Sequence, residues 1–384
     1  MNALRQQLWH LDPGVAHLNH GSYGAVPIPV LEAQARVARA VERSPERFYR
    51  ADLAPALDAA RREVAAFLGA EPEATALVQN VTEAVQVVLE AVAPGPGQEV
   101  VLTDHAYPWV RAAVERACAG GGARVRCVPL PLDPLGTVDD DALADALVAA
   151  VNARTALVVL DQITSASALR LPVEFVLAEL PDVVPVLVDG AHAPGLIARP
   201  VPEDAAFWLG NLHKWAFSAR TAAALVVAPA WRERVRPLVA SAAAAAGFPR
   251  AFDYLGTQDA SAFLALPEAL AFPRVHLGLG FDELRERNRA VLAAGLERVA
   301  DRTGLRSGPD AGLPMRTLDL GTAGDGADAA AWTTRLRDLG VEVAVVSLAG
   351  RLHARVSVQA YVGIGHLEAL GAALVRVGLT AHGR

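Results

Sequence analysis

The sequence of 384 residues predicts an α/β protein, with a large domain built on a mostly parallel sheet flanked by helices and a smaller α+β C-terminal domain. Three observations lead to this prediction. Between residues 55 and 230, short continuous apolar segments alternate with segments of helical periodicity, which is typical of a parallel sheet covered on both faces. From about residue 260 onward, long helices precede the strand candidates. The sequence shows no internal repeat and no low-complexity linker.

The predicted strands of the large domain are short apolar runs bounded by polar or turn-forming residues. They are Val100–Leu102, Val125–Leu130, Ala156–Leu160, Val184–Val188, Phe207–Leu209 and Ala223–Val227. The helices between them have apolar residues at helical spacing and begin or end at capping residues. They are Leu57–Leu68, the segment from Asn80 to Val92, Pro108–Ala119, and Asp139–Val151 with its acidic first turn.

The C-terminal part begins with two predicted helices and continues with strand candidates before a final helix. These elements are Ala262–Ala271, Gly280–Val299, Met315–Leu320, Val341–Val346, Ala354–Val358 and Gly365–Val377. We therefore expect a large domain over residues 19–261 and a small domain over residues 262–384. An N-terminal segment of residues 1–18 joins them.

Composition excludes several classes of function. The net charge of −7 argues against nucleic acid as a partner, because binding to a phosphate backbone needs a concentrated basic face. The N-terminus lacks the apolar core of a secretion signal, and no uncharged apolar run approaches the roughly 18 residues that span a bilayer. We therefore expect a cytoplasmic protein that does not bind membranes.

The two cysteines, Cys118 and Cys127, are too few for a structural zinc site and form no CxxC pair. They are expected to be buried, unpaired thiols of the core. No metal site is predicted.

A single lysine is the most informative residue of the chain. Lys214 is the only lysine among 35 basic residues, so arginine supplies the positive charge everywhere else. Arginine stays protonated in proteins, whereas a desolvated lysine amine can lose its proton and act as a nucleophile. Lys214 therefore indicates amine chemistry, and the alternative is a chance survivor of an arginine-rich coding bias.

Polar residues follow four of the predicted strands, where ligands of parallel α/β sheets bind. They are Asp104-His105, Asp161-Gln162, the segment from Asp189 to His192, and the segment from Asn211 to Lys214. Because the carboxyl ends of parallel strands meet at one edge, these side chains are expected to form one site.

A reactive lysine together with a carboxylate at another strand end suits pyridoxal phosphate, which needs an amine and an acid partner for its ring nitrogen. Asp189 is the acid candidate because it ends the most apolar strand, although it could also be a helix cap. The helix start at Asn80-Val81-Thr82-Glu83 could bind a phosphate, but Thr caps many helices. His105 could stack on the ring or be an ordinary strand-end residue.

Two strings of this sequence resemble the class V aminotransferase superfamily, and within it the isopenicillin N epimerase-like group. They are Asp189-Gly-Ala-His192-Ala-Pro-Gly and Gly210-Asn-Leu-His213-Lys214-Trp215. The segments 18–24, 256–259 and 352–357 resemble further motifs of that group, so the likeness covers nearly the whole chain. It implies the type I fold of pyridoxal phosphate (PLP) transferases.

The resemblance implies roles for the matching residues. Lys214 would form the Schiff base and move protons at the substrate α-carbon, Asp189 would pair with the pyridine nitrogen, and His192 would hydrogen-bond the phenolic oxygen. His105, or alternatively Tyr107, would stack on the ring. The remaining roles are phosphate binding by Val81, Thr82, Asn211 and His213, carboxylate binding by Arg355, substrate contacts by Asn19 and His20, and contact of Thr257 with a neighbouring subunit's phosphate in a homodimer.

Two departures from the family pattern bear on the reaction. Gln162 stands where relatives often carry His, which affects the local substrate contacts. Cysteine desulfurases of the superfamily need a nucleophilic Cys in the C-terminal half, and both cysteines here precede residue 130. Persulfide chemistry is therefore not expected.

Three hypotheses follow for the function. The first is an epimerase or racemase acting at the α-carbon of an amino acid or peptide-like substrate. The second is β-elimination such as carbon–sulfur cleavage, with transamination as a variant. The third is a non-catalytic binding protein, which the retention of a single lysine disfavours.

Overall fold

The computed structural model describes residues 3–133, 136–322 and 328–380. The strands are β1 (Ala16–His17), β2 (Thr75–Val78), β3 (Glu99–Thr103), β4 (Arg124–Val128), β5 (Thr155–Asp161), β6 (Val186–Asp189), β7 (Phe207–Asn211), β8 (Ala223–Val227), β9 (Met315–Thr322), β10 (Val341–Glu342), β11 (Ala344–Leu348) and β12 (Arg351–Ser357). The helices are α1 (His20–Tyr23), α2 (Ile28–Arg43), α3 (Pro45–Arg47), α4 (Leu53–Leu68), α5 (Val81–Val92), α6 (Pro108–Gly121), α7 (Asp140–Ala150), α8 (Val173–Glu179), α9 (Leu212–Trp215), α10 (Ser261–Leu264), α11 (Leu266–Phe272), α12 (Phe281–Thr303), α13 (Ala329–Asp338) and α14 (Ile364–Arg376).

The central sheet has the strand order β2-β8-β7-β6-β5-β3-β4. The pairs among β3, β4, β5, β6 and β7 are parallel, whereas β8 pairs antiparallel with both β7 and β2. A largely parallel sheet with one reversed strand near its edge confirms the predicted fold class. The strands that carry the predicted site residues, β5, β6 and β7, lie next to one another at the centre.

Helices cover both faces of this sheet, and the strand side chains alternate between them. Val158 and Leu160 of β5 pack in one core together with α4, α7 and α8. Leu157 and Val159 of the same strand pack in the opposite core together with α5 and α6. Both faces of the sheet are buried, which explains why these strands are continuous apolar runs in the sequence.

Side-chain caps fix where two helices of the large sheet region begin. The side chain of Asn80 accepts a hydrogen bond from the main-chain N–H of Glu83 at the start of α5. Asp139 accepts in the same way from Ala142 at the start of α7. Both starts were predicted from the sequence. Each cap satisfies a donor that the helix itself leaves free.

The C-terminal part has its own antiparallel sheet, ordered β11-β12-β9, packed with α12 and α14. The N-terminal segment belongs to this region, because β1 pairs in parallel with β10 and Trp9 and Leu18 are buried in the same core as Leu318 and Val356. The predicted strand Val341–Val346 is two strands in different sheets. The predicted helix Ala262–Ala271 is likewise divided into α10 and α11.

Several further elements differ from the sequence prediction, and among them helices α8 and α13 were not predicted. Helix α2 and strand β2 were not predicted, and β8 was not expected to run antiparallel. Cys118 is buried as expected, but Cys127 is exposed, so the expectation of a core thiol is wrong there. Within the described residues, none of the helices combines the length and the apolar character that crossing a bilayer requires.

Candidate functional site

A cavity opens at the carboxyl ends of β5, β6 and β7, beside the start of α5. It encloses about 180 Å³ and brings together most of the predicted site residues. Its lining comprises Ser22, Tyr23, Asn80, Val81, Thr82, Tyr107, Asp161, Ile163, Ser165, Asp189, Ala191, His192, Asn211, His213 and Lys214.

Hydrogen bonding around Lys214 favours its unprotonated amine. Trp215 Nε1 lies 3.3 Å from His192 Nδ1, and His192 Nε2 lies 3.2 Å from Lys214 Nζ. An indole nitrogen only donates, so Nδ1 accepts and the proton of the neutral imidazole is on Nε2. Nε2 then donates to Nζ, which needs a free lone pair on the amine.

Burial also favours the unprotonated amine of Lys214, because it lowers the pKa of this residue. Desolvation by burial, followed by the charge of Arg355, lowers the pKa of Lys214 to about 7, and the charge of Asp189 opposes the shift. The pKa of His192 is well below its usual value, chiefly because of burial and then because of the charges of Lys214 and Arg355. Lys214 is therefore nucleophilic at neutral pH, as an exposed lysine is not.

The low pKa of Lys214 predicts the pH dependence of its reactivity. The amine is protonated below about pH 7 and free above it, so the rate at which the apo-protein captures pyridoxal phosphate should rise through pH 7 and then level off. Borohydride trapping followed by peptide mass spectrometry measures this rate, and a single lysine makes the assignment unambiguous. A rate that keeps rising above about pH 9, as for an ordinary lysine, would contradict the expectation.

Two carboxyl groups lie side by side at the strand ends. Asp161 of β5 and Asp189 of β6 are register partners, and their exposed fractions are 2% and 3%. Burial raises the pKa of both, and the charge of Asp189 raises that of Asp161 further. The N–H of Ala191 and the charge of Lys214 act in the opposite direction on Asp189. The negative charge of the pair therefore lies on Asp189, next to the amine.

The start of α5 also lines the cavity. The main-chain N–H of Val81 donates to Asn211 Oδ1 over 3.1 Å, which ties α5 to the end of β7. Thr82, in the first helical turn, adds a hydroxyl, and its N–H has no acceptor within the helix. The N–H groups and dipole at a helix start attract an anion such as phosphate.

Arg355 is not part of the cavity lining but contacts two residues that are, and it carries a buried positive charge with an exposed fraction of 4%. Its Nη1 donates to Ser165 O (2.7 Å) and Oγ (3.3 Å), and its Nη2 donates to Asn19 Oδ1 (3.1 Å) and Ser22 Oγ (2.7 Å). Its Nε is buried without a partner. Burial lowers the pKa of Arg355 to about 10, so the guanidinium stays charged at neutral pH.

All of these acceptors of Arg355 are uncharged, and among the described residues no carboxylate forms a salt bridge with it. A buried charge without a counter-ion is costly. An anionic ligand at the orphaned Nε would reduce that cost.

Some predicted residues lie outside the cavity lining. His105 Nδ1 is 2.7 Å from Ser167 Oγ, whereas Tyr107, the alternative ring-stacking residue, lines the cavity. Thr257 is exposed, and its hydroxyl contacts that of Tyr254 at 3.3 Å. The stacking role of His105 and the intersubunit role of Thr257 remain predictions.

The two predicted substrate contacts near the N-terminus also lie behind the cavity lining. Asn19 supports Arg355 through its side-chain oxygen. His20 has an exposed fraction of 2% and contacts the main-chain oxygen of Lys214 at 2.8 Å. Neither residue is part of the lining.

The departure at Gln162 does not reach the cavity. Its side chain donates to Pro200 O over 2.7 Å and accepts from Trp208 Nε1 over 3.0 Å, within the packed sheet. Alternation along the extended chain turns Asp161 toward the cavity and Gln162 away from it. Sequence reasoning assigned no role to Ser22 or Ser165, which hold Arg355. Ser22 lies in the segment 18–24 that resembles a family motif, and Ser165 follows Asp161 by four positions.

Comparison with solved structures places this fold among pyridoxal phosphate enzymes. A cystine C-S lyase in complex with its product cysteine persulfide has a TM-score of 0.78 at 19% identity, covering 94% of this chain and 97% of that chain. Cysteine desulfurase CsdA from Escherichia coli has a TM-score of 0.78 at 18% identity, covering 97% of this chain and 96% of that chain. At such low identity the likeness establishes the fold.

Sequence comparison gives the family. The chain is 33% identical over 316 residues to isopenicillin N epimerase from Amycolatopsis lactamdurans, and the match covers 77% of each protein. It is also 33% identical over 309 residues to putative L-cysteine desulfhydrase 1 of Oryza sativa subsp. japonica, covering 74% of this chain and 62% of that protein. No protein-family model matches the chain.

The chain therefore belongs to the isopenicillin N epimerase-like group of the class V aminotransferase superfamily, whose cofactor is pyridoxal 5′-phosphate. This confirms the family and the cofactor predicted from the sequence. The relatives are named as epimerases and as cysteine desulfhydrases, so the family contains isomerases and carbon–sulfur lyases.

Proposed function

We propose that this protein is a pyridoxal phosphate enzyme that removes the α-proton of a small amino acid and eliminates a sulfur substituent from its β-carbon. The observation that carries the proposal is the buried amine of Lys214, whose Nζ lies 3.2 Å from His192 Nε2 in one cavity with Asp189. When bound, the cofactor supplies an electron-withdrawing ring that stabilises negative charge at the α-carbon.

The residues of the cavity fit that cofactor in charge and in donor type. The negative charge on Asp189 suits a protonated ring nitrogen, and the Nε2–H of His192 suits a phenolic oxygen. The start of α5, with Thr82, together with Asn211 and His213, suits the phosphate. Tyr107 supplies an aromatic face. These are the positions that the family resemblance implied, apart from the choice of Tyr107 over His105.

The substrate is held by its carboxylate in this proposal. The orphaned Nε of Arg355 is the donor that remains for an incoming anion, because Nη1 and Nη2 are already bound. Lys214 would take the α-proton. The carbon–sulfur bond would break with its electron pair leaving on sulfur, and the proton taken by Lys214 would leave with the thiol.

Elimination makes fewer demands on the cavity than epimerisation. It needs one group that transfers protons, and Lys214 with its pKa of about 7 meets that need. Epimerisation also needs a proton donor on the opposite side of the α-carbon. Tyr107 is our candidate, since it lines the same cavity and burial raises its pKa, which keeps the phenol protonated. The 77% coverage of an isopenicillin N epimerase supports this second possibility.

Incubation with L-cysteine in deuterated water separates the two reactions. We expect sulfide, ammonia and a 2-oxo acid, and we expect Tyr107→Phe to keep sulfide release within about threefold because the ring remains. Sulfide is measured colorimetrically, and recovered amino acid is analysed for configuration and deuterium. The assignment would change to epimerisation if the wild-type enzyme gave inverted amino acid carrying solvent deuterium and released no sulfide, and if Tyr107→Phe gave no inverted amino acid.

We further propose that the enzyme is a homodimer in which Thr257 contacts the phosphate of the neighbouring site. Thr257 is exposed and absent from the cavity lining of its own chain, as a residue that serves a second subunit would be. The family resemblance supplies the assignment.

A further inference from the structure

The main-chain oxygen of Lys214 depends on a residue outside its own helix. Lys214 lies in α9, which has only four residues, so its C=O has no acceptor role within the helix. His20 Nε2 lies 2.8 Å from this oxygen. A carbonyl oxygen can only accept, so Nε2 carries the proton and donates to it.

A tyrosine hydroxyl fixes the other side of the same imidazole. Tyr361 Oη lies 3.0 Å from His20 Nδ1, and both residues are buried, with exposed fractions of 3% and 2%. Since Nδ1 has no proton, the hydroxyl donates to it. The amide nitrogen of Gln359 lies 3.4 Å from Nε2, but it only donates and cannot accept the Nε2 proton, which leaves the nearer carbonyl as the acceptor. Burial and the charge of Arg220 lower the pKa of His20 to about 3, so the ring keeps this neutral form.

The residues that follow His20 hold the same stretch of backbone. Gly24 has φ of +68°, and a Cβ there would lie 2.2 Å from His213 O and 3.0 Å from Lys214 O. Arg220 donates to Gly24 O over 2.6 Å. The segment 19–24 therefore packs directly against the main chain of α9, and only glycine permits the approach at position 24.

We propose that Tyr361 and His20 form a positioning pair that fixes the main chain of Lys214 and thereby directs its Nζ into the cavity. The proposal rests on the amine chemistry of the proposed function but not on which product forms. It assigns His20 to the support of the lysine, where the sequence resemblance had assigned it to the substrate. Neither residue takes up or releases a proton.

Three variants of the holoenzyme test the pair. His20→Leu removes the donor, and we expect kcat to fall about tenfold or more, with KM changed less than about twofold, because misplacement of a reacting group costs rate. The pH midpoint of the cofactor absorbance band should also shift. His20→Gln offers an amide N–H to the same carbonyl and should recover most of the rate. In Tyr361→Phe we expect kcat to fall about threefold, because the imidazole of His20 remains but loses the hydroxyl that orients it.

Several outcomes would overturn the proposal. Unchanged kcat and band titration in His20→Leu would show that the contact is irrelevant to the lysine. A raised KM at constant kcat would return His20 to substrate binding. A His20→Gln variant as slow as His20→Leu would indicate proton transfer by the imidazole. If His20→Leu fails to fold in thermal unfolding, Tyr361→Phe, which loses one hydroxyl, decides the question.

The band titration needs no turnover, so it separates this proposal from the proposed function. If the pair is wrong, the enzyme still releases sulfide and the titration is unchanged in all three variants. If β-elimination is wrong, the titration still shifts in His20→Leu.

Discussion

Replacement of Lys214 by alanine is expected to abolish turnover, with a loss of at least about a thousandfold. The amine is the only one that lines the cavity among the described residues, and it is also the only lysine of the chain. No neighbour can therefore substitute for it. Trapping with borohydride should leave no reduced cofactor on the variant, which mass spectrometry of the intact protein measures.

Lys214→Arg is the matched variant, because it keeps a positive charge at the same position. Arginine remains protonated and cannot act as the nucleophile, so this variant should be as inactive as Lys214→Ala. Near-normal activity in Lys214→Arg would refute the assignment of amine chemistry to this position. Recovery of part of the rate by added small amines in Lys214→Ala alone would support the assignment.

The site was largely predictable because of where parallel strands end. Asp189, Asn211 and Lys214 each follow a continuous apolar run, and the carboxyl ends of such runs meet at one edge of the sheet. The structure brings these three into one cavity. Neither the order of the strands nor the distances between residues was needed for that inference.

Which side chains of a loop face the cavity was not predictable in the same way. After β3 ends at Thr103, the chain turns before α6 begins at Pro108, and Asp104 is used to bind the N–H of Leu130. Nothing in the local pattern decides whether His105 or Tyr107 faces the cavity, so the sequence left both open. The position of His20 likewise depends on Tyr361, which is 341 residues away.

Some of the elements that the sequence did not reveal have weak local signals. Strand β2 has four residues and is stabilised by pairing with β8, far along the chain. Helix α2, by contrast, has a clear amphipathic pattern, although only Val30 and Ala33 of it are fully buried. The division between β10 and β11 arises because two different partner strands pair with them, which no periodicity within residues 341–348 records.

Replacement of Arg355 is expected to have the second large effect on activity. Arg355→Ala should lower kcat/KM for an amino acid about a hundredfold, since a charge-assisted contact to the substrate carboxylate contributes about 1.5–3 kcal/mol and its support also reorganises. Arg355→Lys should recover little, because an ammonium group cannot bind Ser165, Asn19 and Ser22 and still present a donor to the substrate.

The decisive measurement compares the amino acid with the corresponding amine that lacks the carboxylate. The wild-type enzyme should prefer the amino acid strongly, and Arg355→Ala should lose most of that preference because the lost interaction concerns only the carboxylate. Ser165→Ala is the control: it removes the weaker 3.3 Å contact and leaves the main-chain acceptor at 2.7 Å, so the preference should persist. An equal loss of rate toward both compounds in Arg355→Ala would mean that the guanidinium stabilises the structure of the cavity and does not bind the substrate carboxylate.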